Sequence, residues 1–284
     1  MTGWHIGVIG GSGLYDVEGI ENGRWETMSS QWGEPSDAIF TGRVGHVAVS
    51  FLPRHGRGHR ISPEQLNARA NIDALNRLGV TDVLAVSSVG SLVEDRPPGS
   101  FTIVDQFIDR TKGRPSSFFG TGCVAHVSMA DPVCPRLSAL AAAASGDGRR
   151  GGTYLAMEGP QFSTRAESQL YRHWGCHVIG MTAMPEAKLA REAELPYALV
   201  GMVTDYDCWR DEHAAVDVAQ VIAQLSSNAV KARAMVMSLL RSLPAERTPS
   251  PIDTCLDTAI ITAKTARDPA LVAKLDAVAG RALR

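Results

Sequence analysis

The chain has 284 residues, of which 44% are hydrophobic, and a formal net charge of −2. This near-neutral balance excludes a global field that attracts nucleic acid or an anionic membrane, and no apolar run approaches the roughly 20 residues that span a bilayer. The five cysteines are dispersed without metal-site spacing, which is typical of reduced thiols. The N-terminal residues lack a signal-peptide pattern. We therefore expect a soluble, cytoplasmic protein.

The first predicted strand covers residues 5–9 and ends in the run Gly10-Gly11-Ser12-Gly13. Glycines after a strand let the backbone approach a bound group, and exposed amides there favour anions. The spacing does not fit a dinucleotide-binding fingerprint, because Asp16 stands where the third glycine is required. An anion site and a purely structural turn both remain open.

The second predicted strand, residues 46–52, ends in a loop with an unusual density of cationic side chains. Guanidinium forks and backbone amides at a strand end bind anions well, which favours an anion site over a solvated surface. These side chains are Arg54, His55, Arg57, His59 and Arg60. A helix is then predicted from Ser62 to about Leu78, with Ser62 as its N-cap and Pro63 in its first turn.

The next strand, residues 82–87, is almost continuously apolar, which is typical of a strand buried on both faces. It leads into Ser87-Ser88-Val89-Gly90-Ser91, whose hydroxyls either cap a turn or bind phosphate. Another strand is predicted at 101–108. Residues 109–132 form a long segment without regular structure, and such segments are usually functional or lie at an interface.

Two further strands are predicted at 153–157 and 176–180, and three helices accompany them. The first helix covers residues 135–147, the second follows a capping box of Thr164 and Glu167, and the third begins at Pro185. Phe162, in the Gly-Pro turn between the first of these strands and the second helix, is either core or stacks on a flat ligand.

The last predicted strand runs through residues 195–203 and stops at Thr204-Asp205-Tyr206-Asp207. Two carboxylates one residue apart at a strand end point in similar directions, because side chains alternate with period two. Ligands of open α/β sheets bind outside the carboxyl ends of strands. A ligand site rich in acceptors and a turn with capping aspartates both remain open.

A long helix is predicted from residue 217 to about 243, and the composition then becomes linker-like before a helical pattern at 253–283. Strands that alternate with helices indicate an α/β fold with a mainly parallel sheet. We assign 1–243 to one domain. Residues 244–284 are expected to form a linker and a helical extension that packs on this domain or on a neighbouring subunit.

Seven motifs occur in a fixed order: GGSGLY, RHGRGHRISPEQLNARANI, SSVGSL, VDQFIDRT, EGPQFSTRAES, MTAMPEAKLARE and TDYDCW. Together they closely resemble the methylthioadenosine phosphorylase branch of the trimeric purine nucleoside phosphorylase family, from about Ile6 to Leu243. The resemblance implies a single-domain α/β fold around a mixed sheet that forms a distorted barrel. It also implies a homotrimer, or a hexamer of two trimers, and neither a metal nor an organic cofactor.

The resemblance also assigns site residues. It places the phosphate at Ser12, Arg54, His55, Ser87 and Thr182. It places the ribose and the base near Met181, Phe162, Asp205 and Asp207, with Ser88, Val89 and Gly90 on the same substrate surface. The methylthio pocket would be bordered by Val218, Val221 and Ile222, and His126 would reach a neighbouring subunit's site.

The implied reaction is the reversible phosphorolysis of 5′-methylthioadenosine to adenine and 5-methylthioribose 1-phosphate. Asp205, with Asp207 nearby, would protonate or hydrogen-bond N7 of the leaving adenine, and proton donation requires a carboxyl group of raised pKa. Relatives that use inosine and guanosine carry Glu and Asn where this chain has Ser163 and Asp205. The alternatives are a methylthioinosine phosphorylase of the same fold, a hydrolytic nucleosidase, and a nucleotide-binding regulatory module without catalysis.

Overall fold

The computed structural model describes residues 3–11, 14, 19–146, 148–210 and 218–284, and of residues 218–222 only the backbone. Within this part the chain forms eleven strands and seven α-helices. The strands are β1 (His5–Gly10), β2 (Glu21–Glu26), β3 (Ile39–Val44), β4 (Val47–Pro53), β5 (Asp82–Ser91), β6 (Phe101–Val104), β7 (Gln106–Asp109), β8 (Arg149–Arg150), β9 (Thr153–Ala156), β10 (Val178–Gly180) and β11 (Tyr197–Asp205). The helices are α1 (Ala68–Arg77), α2 (Pro135–Ser145), α3 (Arg165–His173), α4 (Ala183–Glu192), α5 (Val218–Ser242), α6 (Pro269–Lys274) and α7 (Gly280–Leu283).

These strands belong to one mixed sheet, as predicted. Its main path runs β2-β3-β4-β1-β5-β10-β9-β7, and a branch through β11 adds β6 and β8. The branch starts at β5, which is parallel to β1 on one edge and to β11 on the other, and which turns to β10 at Gly90 and Ser91. Across the described residues, the strand order ends at β2, β7 and β8 and does not close into a ring. The expected distorted barrel is thus corrected to an open, branched sheet.

The central strands form because their side chains are apolar on both faces. Along β5, Val83 and Ala85 pack into one core cluster, while Leu84 and Val86 pack into another. This alternation follows from the period of two in a strand. Helices cover both faces, so the sheet ends are the places where polar side chains can gather.

The helix predicted from Ser62 is corrected. Residues Pro63–Gln65 form a 3₁₀ turn, and α1 begins only after Asn67, whose side chain accepts a hydrogen bond from the N–H of Ala70 at 3.1 Å. The Ser62 hydroxyl donates to Glu64 instead of capping a helix. The capping box of Thr164 and Glu167 is present as predicted.

The C-terminal segment lies against the long loop of residues 109–132. Ala125 forms a β-bridge with Ile260, Thr262 Oγ1 accepts from the N–H of Val124 at 2.8 Å, and the N–H of Asp268 donates to Gly122. The helical pattern predicted for 253–283 is only partly correct. Instead of one long helix, this segment forms 3₁₀ turns and two short helices. Apolar side chains of these short pieces are buried in the core. Among the described residues, no helix combines the length and the apolarity that crossing a membrane requires.

Candidate active site

The candidate site lies where β5, β10 and β11 meet. In the ladder, Gly201 is opposite Ser87, and a bulge after Val203 brings Asp205 opposite Gly90. A Cβ at Gly90 would lie 3.0 Å from Asp205 Oδ1 and 3.1 Å from Ile179 Cγ2. A side chain at this position would therefore fill the space beside the carboxylate. The predicted neighbours lie in the same strand, with Ser88 half-buried and Val89 in the core.

Ser87 and Thr182, two of the five predicted phosphate residues, are in contact. Their hydroxyl oxygens are 3.2 Å apart, and both residues are largely buried. Ser87 comes from β5, whereas Thr182 follows β10 and immediately precedes α4. The N–H of Thr182 donates to the phenol oxygen of Tyr154 at 3.4 Å. We call Ser87, Thr182 and Tyr154 the hydroxyl cluster. Ser12, the third predicted hydroxyl, lies outside the described residues.

Arg54 donates to the carbonyl of Val86, the residue before Ser87, and 2% of its surface is exposed. Its guanidinium forms a two-pronged ion pair with Glu186, at 3.0 and 3.1 Å, and donates to the carbonyls of Ile9 and Val86. Burial alone would lower the pKa of Arg54, but the Glu186 carboxylate outweighs burial and raises it. Four of the five N–H donors of an arginine are thereby engaged, which leaves one hydrogen on Nη1.

His55 is held as a neutral imidazole. Burial, opposed by a hydrogen bond from the ring to Ile61, lowers the pKa of His55 from 6.5 to about 4. Nδ1 lies 2.8 Å from the carbonyl of Ile61, which fixes the proton on Nδ1 and leaves Nε2 as an acceptor. The ring stacks on His59 with centroids 4.3 Å apart.

The other arginines of this loop pair with the protein itself. Arg57 forms an ion pair with Asp37 at 2.9 Å and lies over the Trp25 ring, and Arg60 reaches the same carboxylate at 3.8 Å. Arg57 and Arg60 are thus held at Asp37, and an anion site at Arg54 and His55 stays a prediction.

The two aspartates differ in their surroundings. Asp205 accepts hydrogen bonds on both oxygens, from Thr204 Oγ1 at 2.6 Å and from the N–H of Asp207 at 2.7 Å. Burial raises the pKa of Asp205 against these two bonds. Burial also raises the pKa of Asp207, to about 6, against the opposing effect of Ser168; the Asp205 charge adds a smaller contribution in the same direction as burial. Among the described residues, Asp207 Oδ2 is buried without a hydrogen-bond partner.

The remaining predicted residues are more scattered. Met181 is half-buried next to Thr182, and Phe162 is 49% exposed. His126 lies where the long loop meets the C-terminal segment, with its N–H bonded to Ala259. The contacts of the described residues do not connect His126 to the hydroxyl cluster. The residues predicted for the methylthio pocket, Val218, Val221 and Ile222, lie in α5, and their side chains are outside the description.

Three residues of the site were not predicted: Glu186, Tyr154 and Arg114. The side chain of Arg114 extends from the long loop. It forms an ion pair with Glu158 and donates to the carbonyls of Met181 and Met184. It thereby fixes the segment that carries Thr182. The available sequence signal for Glu186 was a charged residue among the apolar positions of a helix.

In the described part of the chain, no group of three or more His, Cys, Asp or Glu side chains is placed to hold a metal ion.

Comparisons with known proteins show the family to which the chain is similar. The family model for the phosphorylase superfamily matches residues 5–241. The S-methyl-5′-thioadenosine phosphorylase of Cereibacter sphaeroides is 60% identical, over 98% of each chain. The enzyme of the same name from Bradyrhizobium diazoefficiens is 58% identical, over 100% of each chain.

Solved structures give the same result. The crystal structure of a methylthioadenosine phosphorylase from an Antarctic soil metagenomic library has a TM-score of 0.92 at 44% identity and covers 98% of this chain and 99% of its own. A mutant adenosine/methylthioadenosine phosphorylase from Schistosoma mansoni, in complex with methylthioadenosine, has a TM-score of 0.80 at 35% identity, over 86% of this chain and 93% of its own. These comparisons confirm the resemblance that the motifs indicated.

Proposed function

The chain belongs to the phosphorylase superfamily, and on that premise we propose that it catalyses the reversible phosphorolysis of 5′-methylthioadenosine to adenine and 5-methylthioribose 1-phosphate. The observation that carries the proposal is the meeting of two unlike groups at one sheet edge. The hydroxyl cluster near Arg54 suits a phosphate, and the carboxyl groups of Asp205 and Asp207 suit a base that must gain a proton. Ser87 lies in β5, Thr182 follows β10, and Asp205 and Asp207 lie at the end of β11, while Tyr154 reaches the cluster from β9.

The phosphate end acts by position and charge. Ser87 and Thr182 donate to the phosphate oxygens, and Arg54 supplies its charge and one Nη1 hydrogen. Ser12 completes this end. The hydrogen phosphate dianion carries one O–H, which the unprotonated Nε2 of His55 accepts. As the glycosidic bond opens, the phosphate charge stabilises the oxocarbenium character of the ribose, and its oxygen is already placed for attack on C1′.

The base end supplies the proton. Adenine leaves readily only as a neutral base, so N7 must be protonated as the bond breaks. Asp205 and Asp207 act as a coupled pair that supplies the proton, because burial raises the pKa of Asp207 to about 6 and so brings its protonated form closer to neutral pH. Asp205 faces the base beside Gly90 and is aligned by the bonds from Thr204 and from the N–H of Asp207. A carboxyl pair also accepts from the six-amino group, which favours adenine over hypoxanthine.

The contacts to the rest of the substrate follow from the resemblance of the motifs. Phe162, whose ring is 49% exposed, stacks on the purine. Met181 contacts the ribose, with Ser88, Val89 and Gly90 on the same surface. The methylthio group lies against α5 at Val218, Val221 and Ile222.

The assembly belongs to the same proposal. His126 reaches the site of a neighbouring subunit in a homotrimer, or in a dimer of trimers. The enzyme works in the cytoplasm without a cofactor, and inorganic phosphate is a co-substrate. Light scattering measures the assembly, and full activity after extensive dialysis against EDTA tests the absence of a required metal.

A phosphate-dependence assay tests the function. Purified enzyme is incubated with methylthioadenosine with and without phosphate, and the released base and sugar are separated by HPLC. We expect adenine and a sugar phosphate only when phosphate is present. Equal adenine release without phosphate would identify a hydrolytic nucleosidase, and an absence of turnover would leave a nucleotide-binding module.

Substrate comparison tests the specificity. One buried methyl-sized group contributes about 1 kcal/mol or more, so methylthioadenosine should exceed adenosine in kcat/KM by about fivefold or more. Methylthioinosine should be a poor substrate. If adenosine or methylthioinosine matches methylthioadenosine, the enzyme is a phosphorylase of another specificity.

A further inference from the structure

Tyr154 delivers its hydroxyl to the candidate site across a neighbouring strand. The register of β9 with β10 sets Tyr154 opposite Val178 and Ala156 opposite Gly180. The Tyr154 ring runs along β10 over Gly180, where a Cβ would lie 2.7 Å from Cζ and closer still to the phenol oxygen. The ring thus occupies the space of the missing side chain. Beyond Gly180, the phenol oxygen accepts from the N–H of Thr182.

The ring has little freedom. Tyr154 is 0% exposed, and Phe107 packs edge-on against it with ring centroids 5.8 Å apart. Burial raises the pKa of Tyr154, while the N–H of Thr182, Arg54, the N–H of Ala183 and the Ser87 hydroxyl act to lower it. The phenol therefore remains protonated at neutral pH, surrounded by the residues of the phosphate end.

The hydrogen-bond inventory at this point is directional. A phenol that accepts from backbone N–H groups keeps its own hydrogen for another acceptor. Ser87 Oγ, which is 3.2 Å from Thr182 Oγ1, is the neighbouring hydroxyl that acts on the phenol, and either hydroxyl of the Tyr154–Ser87 pair can be the donor. When Tyr154 donates to Ser87, the serine hydrogen turns away from Tyr154, and the two small hydroxyls can donate to an anion. Chains of hydroxyls that polarise one another in this way strengthen the terminal donor.

We propose that Tyr154 is a positioning residue of the phosphate subsite: its phenol fixes the Thr182 segment and directs the hydrogens of Ser87 and Thr182 towards the bound anion. The identity of the anion as phosphate rests on the proposed function. Gly180 belongs to the same device, because a side chain there would displace the phenol.

Another fully buried tyrosine shows what a different role looks like. The hydroxyl of Tyr197 donates to Glu186 Oε1 at 2.8 Å, so its hydrogen is consumed by the ion pair with Arg54. Tyr154, in contrast, receives a backbone N–H at the subsite itself. Loss of the Tyr154 hydroxyl should therefore weaken phosphate binding without an equal effect on the nucleoside.

The test compares Tyr154→Phe with wild type and with Tyr171→Phe, a largely buried tyrosine of α3 away from the cluster. Calorimetry with inorganic phosphate alone gives Kd, and steady-state kinetics give KM for phosphate and for methylthioadenosine. We expect Tyr154→Phe to raise Kd and KM for phosphate about tenfold, as for one charge-assisted hydrogen bond. The KM for the nucleoside should stay within about twofold, and Tyr171→Phe should match wild type. Gly180→Ala should weaken phosphate binding in the same direction.

Two results would overturn the inference. One is a phosphate affinity of Tyr154→Phe within twofold of wild type; the other is an equal rise of both KM values, which indicates general loss of structure. The calorimetric result is independent of turnover. If wild type binds phosphate but releases no adenine, the proposed function fails while the role of Tyr154 is still decided by Kd. If wild type binds no phosphate, both fail.

Discussion

The two ends of the candidate site handle charge in opposite ways. At the phosphate end, the Arg54 charge is matched by Glu186, the ring of His55 is neutral, and the remaining groups are hydroxyls. At the base end, two half-buried carboxyl groups lie together, and Asp207 Oδ2 has no partner among the described residues. The charge of Arg54 is thus matched by a carboxylate within the protein, whereas the base end holds two carboxyl groups beside each other.

The difference follows from what each end must bind. A phosphate dianion brings its own charge and can be bound by fixed hydroxyl groups near a paired arginine. Because the arginine is already paired, the protein does not bear the desolvation cost of an isolated buried cation. A neutral purine brings donors and needs a proton, so the base end must keep one. The carboxyl pair is suited to supply it, since burial raises the pKa of Asp207 to about 6.

The largest effect is expected from neutralising the base end. Asp205→Asn and Asp207→Asn should each lower kcat/KM for methylthioadenosine by about 10²–10⁴-fold, because an amide cannot deliver the proton. Asp205→Asn should also partly rescue methylthioinosine, whose N7 and O6 accept from an amide. The exposed Asp131→Asn is the control. If either site variant stays within tenfold of wild type, that aspartate is only a turn residue and the contrast between the ends is lost.

Breaking the match at the phosphate end should cost stability. Glu186→Gln leaves Arg54 buried without its counter-charge, and removing one partner of a buried pair lowers the free energy of unfolding by about 3–5 kcal/mol. Tyr197→Phe, which removes one hydrogen bond to Glu186, should lower it by about 1 kcal/mol. Urea unfolding measures both, with the exposed Glu246→Gln as control. A loss below 1 kcal/mol for Glu186→Gln would show that Arg54 is not held by this pair.

Acid should lower the free energy of unfolding gradually, through protonation of His55 at the phosphate end. The pKa of His55 is about 4 in the folded protein and 6.5 as the ordinary value. The unfolded state therefore binds the proton more tightly, and stability is lost as pH falls from about 6.5 to 4, up to about 3 kcal/mol. Asp207 has the opposite sign, because its stabilising effect is lost as pH rises through about 6.

The His55 contribution is isolated by comparing wild type with His55→Asn. Urea unfolding at pH 7 and pH 4.5 gives the free energy of unfolding of both proteins. Wild type should lose more of it than the variant between the two pH values. An equal loss in both proteins would mean that His55 is not held neutral by burial.

The smallest effect is expected at Phe162. Because this ring is 49% exposed, Phe162→Ala should change the free energy of unfolding by less than about 0.5 kcal/mol. It should raise KM for methylthioadenosine by about three- to tenfold through lost stacking, with KM for phosphate unchanged. The exposed Leu170→Ala serves as control. A KM for the nucleoside equal to that of wild type would place the base elsewhere.

The sequence predicts the central strands well and the sheet edge poorly. Strands β5 and β11 are almost continuously apolar, so their burial can be predicted from their composition. The strand β2 was not predicted, since ENGRWE shows no apolar alternation and is largely exposed. It becomes a strand through its pairing with β3, supported by Trp25 and Phe40, whose rings are 5.3 Å apart. Such long-range pairing overrides local preference.

The same limit applies to the site. Strand ends predict where Ser87, Thr182 and Asp205 gather, because these residues stop apolar runs. Glu186 and Tyr154 carry no such local mark, since one lies within a helix and the other within an apolar strand. Their roles arise from contacts such as that of Glu186 with Arg54, 132 residues apart in sequence.

The contact between the long loop and the C-terminal segment joins residues that are synthesised at different times. The N–H of Val124 donates to Thr262 Oγ1, which lies 138 residues later in the chain, so this hydrogen bond cannot form until Thr262 has been made. At typical translation rates of about 5–20 residues per second, that interval is roughly 7–28 seconds. During it the loop that carries Arg114, and with it the carbonyl of Met181, lacks its outer support. The support of the long loop is therefore completed only after Thr262 has been made.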